Sequence, residues 1–325
     1  MPLPQPAARA RQVEAGAPGW ERGVLEKLAT AALQEQRTAR RWKLFFRFAW
    51  LLLWGALVWV LFTASRDGGV EAVGPHTAVV EIDGEISAES EASAVNISAA
   101  LKRAFEDRNA QAVVLWINSP GGSPVQAGII NDEVRRLKAL HKKPVHAVVQ
   151  DLCASAAYYI AVAADDIYVD KASMVGSIGV LMNGFGFTEL MQKLGVERRL
   201  QTAGANKGML DPFSPQTDEQ KQRVQAMLDQ IHQQFIQVVR EGRGARLKED
   251  PETFSGLVWT GEQALRNGLA DHLGNINDVA REVVKAEELV DYTERESLPD
   301  RLVRRLGAVF GVAVAQSLSG QYSLR

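Results

Sequence analysis

The chain has 325 residues, about two domain lengths, and can bury at least one full core. Hydrophobic residues at 46% and charged residues at 23% exclude a wholly disordered, collagen-like or coiled-coil chain. Its 37 basic and 39 acidic side chains leave a net charge of −2, without the basic surplus of a nucleic-acid binder. The single cysteine, Cys153, excludes an intramolecular disulfide and a CxxC metal site. Five scattered histidines without an HExxH helix argue against a zinc hydrolase.

Residues 1–43 are rich in Ala, Arg, Gln and Glu and read as a polar tail with one helix near 20–40 and no assigned chemistry. From Phe48 to Ser65 the chain carries no charge, and Leu44 to Phe46 extend the stretch. At ~1.5 Å per residue those 18 residues reach roughly 27 Å, close to the hydrocarbon thickness of a bilayer. Residues 44–65 are therefore expected to form a transmembrane anchor, with Trp42, Trp50 and Trp59 suited to the interfaces. A buried core helix and a cleaved signal peptide are the alternatives, the second needing a charged region of unusual length. Arg37, Arg40, Arg41, Lys43 and Arg47 precede the span, whereas Arg66 stands alone in the first twenty residues beyond it. This asymmetry keeps the N-terminus cytoplasmic and the rest outside, in the inner (plasma) membrane as a single-pass protein.

After a Gly-containing linker over 66–76, TAVVEI (77–82), AVVLWI (112–117) and VHAVV (145–149) read as buried strands. Helical spacing predicts helices over 90–107, with Val95, Ile97, Leu101, Ala104 and Phe105 inward, and over 124–140. The β-α-β-α order predicts an α/β fold with a mostly parallel sheet, in a domain over 77–295. A longer helix is expected over 217–242, opened by a Thr217/Gln220 capping box and striped with apolar residues from Val224 to Val239. That stripe is core or subunit contact.

Asn118-Ser119-Pro120-Gly121-Gly122-Ser123 follows a predicted strand directly. It is either an ordinary Pro-Gly turn or a turn whose bare N–H groups stabilise an oxyanion. Residues 151–164 read as a buried helix with small residues at its start. Ser155 there is an N-cap or a nucleophile, with its own N–H or that of Ala156 facing the oxyanion. Cys153 reads as small packing. No histidine lies between His146 and His232, so a base from nearby sequence would be a desolvated lysine. Lys207 is the candidate; a solvated loop lysine is the plainer alternative. Ser177, in the Gly-flanked apolar turn MVGSIGV, supplies a hydroxyl that could orient it.

In combination, NSPGGS (118–123), ASAAYY (154–159), VGSIGV (175–180), Lys207 followed by DPFSP (211–215), and GLVWTGEQALRNGLADHLG (256–274) resemble the signal peptide peptidase A family over residues 77–290. These are membrane-bound Ser/Lys peptidases on the Clp protease/crotonase-like fold. The resemblance implies Ser155 as nucleophile, Lys207 as general base, Ser177 as the hydroxyl orienting the lysine, and the Gly122 and Ala156 N–H groups as oxyanion hole. It implies the short single-copy form, a ring-shaped homo-oligomer (an octamer) in which Ser and Lys come from neighbouring subunits. The implied substrates are remnant signal peptides and other membrane-associated or unfolded peptides, cut without metal or cofactor. Neutral lysine is the working form, so activity is expected to rise with pH. A protease of one membrane partner such as a stomatin-like protein, an acyl-CoA enzyme of the crotonase type, and a silent scaffold of the same fold are the alternatives. The C-terminal tail (296–325) contains AVFGVAVAQSL, apolar and small like a signal-peptide core, and is expected to occupy or be trimmed by an active site.

Overall fold

The structure is a computed structural model that describes residues 40–60 and 74–295. The chain divides into two compact units, Met1–Gly68 and Gly69–Arg325. In the first, Arg40–Val60 forms one helix, α1, of 21 residues. It is long and apolar enough to cross a membrane, and none of its apolar window is buried, unlike the core-helix alternative. It begins four residues before the expected span; residues 61–65, the tail helix near 20–40 and the C-terminal tail lie outside the described residues.

The second unit is built on a sheet whose strands stand in the order Val258–Thr260, Met174–Gly176, Val145–Ala154, Ala110–Ser119, His76–Asp83 and Leu289–Asp291. The β-branched runs become β1 (His76–Asp83), β2 (Ala110–Ser119) and β3 (Val145–Ala154), in parallel register, for example Val80↔Leu115↔Ala147. Two helices cross over between them, α2 (Ala94–Glu106) and α3 (Pro124–His141), each opened by a serine, Ser93 or Ser123, that caps its first turn. Ile97, Leu101 and Phe105 of α2 and Ile130, Val134 and Leu137 of α3 bury against Val80, Val113 and Leu115 of the sheet. Val95, expected inward, is exposed because it lies on the outer face of α2. The Lys143 ammonium donates to the carbonyls of Ala104, Phe105 and Asp107 at 2.6–3.1 Å, closing the C-terminus of α2.

Strand β3 is longer than its β-branched run. His146–Val148 pair with β4 (Asp166–Val169), and Leu152–Ala154 pair with β5 (Met174–Gly176). The expected helix over 151–164 is corrected accordingly: residues 151–154 complete the strand, and α4 spans only Ala156–Ala161. Pairing with β5 holds this small-residue stretch extended. Beyond β5 come a short helix α5 (Thr188–Lys193), the long helix α6 (Asp218–Arg243), β6 (Val258–Thr260), α7 (Gly261–Arg266), β7 (His272–Leu273), α8 (Ile276–Asp278), a π-helical turn (Val279–Val284) and β8 (Leu289–Asp291). The Thr217/Gln220 capping box opens α6 as expected. Only the second half of its stripe enters the core: Phe235 and Val239 are buried, Val224, Leu228 and Ile231 half-buried, and Met227 exposed.

The C-terminus of α6 is fixed by a buried ion pair. Arg243 is 1% exposed; its Nη1 and Nη2 donate to Asp271 Oδ2 and Oδ1 at 2.8 and 2.7 Å, and its Nε donates to Gly268 O at 2.8 Å. Asp271 also accepts from the Ile167 N–H of β4, and Tyr158 of α4 donates its hydroxyl to Leu269 O at 2.7 Å. Helix, turn, strand and α4 are thus tied at one point. Burial alone would raise the Asp271 carboxyl, but the hydrogen bond and charge of Arg243 outweigh it and hold it below its ordinary 3.8. A depressed carboxyl contributes stability that is complete above its unfolded value and lost as pH falls through its folded one. Asp271→Asn, which strands a buried guanidinium, is expected to cost about 3–5 kcal/mol at pH 7. In urea melts at pH 7 and pH 3, that gap should shrink at the lower pH.

Candidate active site

Between β3 and α4 the chain reverses at Ser155, which has φ 54° and ψ −122°, a conformation that L-residues rarely adopt. Three contacts impose it. The Ser155 N–H donates to Gly176 O at 2.8 Å, and its carbonyl accepts from Tyr159 N at 3.0 Å. The Pro120–Gly122 turn presses on its side, since a Cβ on Gly121 would lie 2.7 Å from Ser155 Cβ and 2.9 Å from Ala156 N. The Ser155 hydroxyl makes no capping bond, so the N-cap alternative does not hold. This strained strand-to-helix turn has the form of a nucleophile elbow.

The glycine turn is pinned from the other side. Ser119 Oγ donates to Gly84 O at 2.6 Å and accepts from Gly121 N at 3.1 Å. Ile86 N donates to Gly121 O and Ser123 N to Ile86 O, a bridge that skips the Gly122 N–H. A Cβ on Gly122 would stand 2.1 Å from Ile86 O, so glycine is required. Among the described residues neither Gly122 N nor Ala156 N has an acceptor, and both residues line one cleft with Ser155. Two free amide donors beside a hydroxyl are the equipment for stabilising a developing oxyanion.

The cleft holds about 550 Å³, and among the described residues no charged side chain or histidine lines it. Tyr159 and Phe235, rings 5.2 Å apart, form one wall; Ser177, Gly179 and Val180 form another. Ser177 follows β5 with φ 51°, its N–H on Leu257 O at 2.7 Å and its hydroxyl without a hydrogen-bond partner among the described residues. Cys153 is fully buried beneath, and desolvation pushes its thiol far up, which removes it as a competing nucleophile. His232 of α6 hydrogen-bonds Ile178 O at 3.1 Å behind the Ser177 segment.

The structure therefore brings Ser155, Ser177, Gly122 and Ala156 to one cleft. Lys207 is not there: it is exposed, in a turn closed by its N–H on Gly204 O, and does not line the Ser155 cleft of the same chain. It rides on a limb over 181–216 that is ordered by its own contacts. Arg198 pairs with Asp211 at 3.3 Å, and Phe187 stacks on Phe213 at 5.6 Å. The limb buries little: α5 has no buried residue, and Leu181 and Phe185 are 83% and 75% exposed. Sequence reading missed the limb, whose signal is the apolar spacing in FGFTELMQKLGV (185–196), and missed Tyr159 and Phe235 as cleft walls.

The elbow, paired donors and uncharged cleft stand together at one edge of a Clp-like α/β sheet. Residues 138–290 match the model of Peptidase family S49. A putative signal peptide peptidase SppA of Enterococcus faecium is 31% identical over 198 residues, 61% of this chain and 57% of that protein. A putative protease of Methanocaldococcus jannaschii is 34% identical over 197 residues, 59% of this chain and 63% of that one. A Brucella melitensis protein named Na(+)/H(+) antiporter NhaA is 49% identical over 176 residues, 54% of this chain but 24% of its own length. The chain thus spans less than two thirds of each of these relatives.

The elbow's strain yields a stability prediction. Glycine adopts positive φ without the Cβ clash, so Ser155→Gly should be about 1 kcal/mol more stable than Ser155→Ala despite glycine's greater unfolded freedom. Paired thermal melts of the two variants check this, with the order of their midpoints as the readout.

Proposed function

We propose that this chain is a membrane-anchored serine endopeptidase that cuts uncharged, apolar stretches of peptide, remnant signal peptides among them. The observation that carries the reading is the cleft itself: a strained serine between two unpaired amide donors, in walls without charge. Charged side chains would be stripped of water there without compensation, whereas apolar ones gain by burial. Val180 and Leu181 make no backbone hydrogen bond among the described residues, so their amide groups are open to an extended substrate chain.

In this mechanism Ser155 Oγ gives its proton to the neutral Lys207 amine and attacks the scissile carbonyl carbon. The oxyanion sits on the Gly122 and Ala156 N–H groups, while Ser177 Oγ orients the lysine. Collapse breaks the C–N bond, and the leaving amine takes the proton from the lysine ammonium. Water, deprotonated by the same lysine, then releases the acyl group and restores Ser155. Lys207 arrives from a neighbouring copy in a homo-oligomeric ring. The exposed lysine and the exposed apolar limb that bears it support this arrangement. Helix α1 serves as the anchor, with the basic residues of its first two turns, Arg40, Arg41, Lys43 and Arg47, on the cytoplasmic side.

A serine-directed fluorophosphonate should label the protein but not Ser155→Ala, and each of Ser155→Ala and Lys207→Ala should lower peptide cleavage by about three orders of magnitude or more. Mixing the two dead variants under subunit exchange should restore activity through rings that pair an intact serine with an intact lysine. Labelling that survives in Ser155→Ala would overturn the nucleophile. Dead mixtures would overturn the shared site.

A further inference from the structure

The Ser155 cleft continues past Tyr159. Tyr159 and Gln234 line both the cleft and a shallow groove of about 530 Å³ along α6, whose remaining walls are Gln230, Gln233, Gln237 and Val238. The glutamines stand at i, i+3, i+4 and i+7, which puts all four on one face of the helix, and all four are exposed. Elsewhere the exposed surface of α6 carries charged pairs, Lys221 with Asp218, Arg223 with Glu219 and Arg240 with Glu249. The groove walls carry no charge of their own, and the same face becomes charged only one turn on, at Glu241, which pairs with Arg135 at 3.5 Å. Gln237 Nε2 is committed to Glu241 at 2.8 Å, but the amides of Gln230, Gln233 and Gln234 have no hydrogen-bond partner among the described residues.

A primary amide both donates and accepts, as a peptide unit does, so a row of them can hold a polypeptide backbone whatever its side chains. The Val238 side chain and the Tyr159 ring add an apolar floor. From Gln230 to Gln237 the helix rises roughly 10 Å, the length of about three residues of extended chain. We propose that this stripe is a substrate exosite: it grips the main chain of the flank emerging from the Ser155 cleft, about three residues long. The proposal rests on the peptidase reading and narrows it to polypeptides longer than the cleft itself. Continuity of groove and cleft through Tyr159 and Gln234 selects the substrate flank as occupant.

The test uses two internally quenched peptides with the same uncharged apolar core, the longer carrying three extra Ala/Ser residues at each end. The full-length chain in detergent should prefer the long peptide by about tenfold in kcat/KM, expressed in KM, as two modest hydrogen bonds would give. In Gln230→Ala/Gln233→Ala, where alanine keeps the helix, that preference should fall below about twofold. Because the short peptide reports folding and chemistry within each protein, the ratio isolates the groove. A tenfold preference retained in the double variant overturns the exosite. Equal cleavage of both peptides by the unsubstituted chain overturns it too, and is the result expected if a neighbouring copy covers the groove. No cleavage of either peptide by the unsubstituted chain would overturn the peptidase reading and the exosite with it.

Discussion

One backbone conformation governs the rest of the site. Ser155 at φ 54° and ψ −122° sits where a side chain is strained, at a cost on the order of 1–3 kcal/mol, and such a residue persists only where its surroundings over-determine it. Here they do. The β5 carbonyl of Gly176 holds its N–H, the first turn of α4 holds its carbonyl, and the Gly121 backbone fills the space beside its Cβ. The same demand explains the composition of the neighbourhood. A Cβ on Gly121 would meet the backbone oxygen of Ala154 at 2.7 Å, so the turn needs glycine there. Geometry that exposes the hydroxyl also turns the Ala156 N–H away from the helix ladder and leaves Gly122 N free.

The strands were legible because TAVVEI, AVVLWI and VHAVV are β-branched runs buried on both faces of a parallel sheet, where side-chain pattern and environment agree. The second half of β3 was not. Its sequence, QDLCA, has no β-branched residue, and its extended state comes from pairing with β5, a three-residue strand remote in the local pattern. Tertiary pairing overrode local preference, and the helix shrank to Ala156–Ala161. Ser155, Ser177, Gly122 and Ala156 could be picked out as candidates because each stands in a glycine-rich or small-residue setting with an independent backbone reason. Their meeting in one cleft could not be read from spacing, since β2, β3 and β5 bring them together through the sheet order. Val95 shows the opposite failure: helical spacing is a weak guide at the first turn, where the helix has not yet met its partner.

Helix α6 links the fold's stability to the shape of the cleft. Its C-terminal half is locked by the Arg243–Asp271 pair and by the burial of Phe235 and Val239. A helix anchored at one end has its rotation set along its whole length, because each residue adds 100° to the last. The pair at Arg243 therefore decides which residues two turns earlier face Tyr159, and these are Phe235 and Gln234. Energetically the pair is a liability unless complete, since either charge alone would be buried without compensation. Its contribution is orientation: hydrogen bonds from one guanidinium to a carboxylate and a carbonyl leave α6 one register.

The position of Lys207 follows a different logic from that of the serine. An ammonium surrounded by water keeps its proton, and an amine becomes a useful base at neutral pH where water is excluded. Among the described residues nothing excludes water from the 181–216 limb, whose large apolar side chains, Leu181, Phe185 and Leu194 among them, are exposed. The two deficits have a common remedy. On the proposed reading a surface that covers the limb's apolar residues also takes its lysine out of water, so that burial of the limb and activation of the base are one event. On the proposed reading that surface is another copy of the chain, and a lone chain then carries a nucleophile, an oxyanion site and an uncharged cleft with no means of removing the serine's proton. On that reading chemistry waits on assembly, while the strained serine and the free amide donors beside it are built in advance by the fold of each chain.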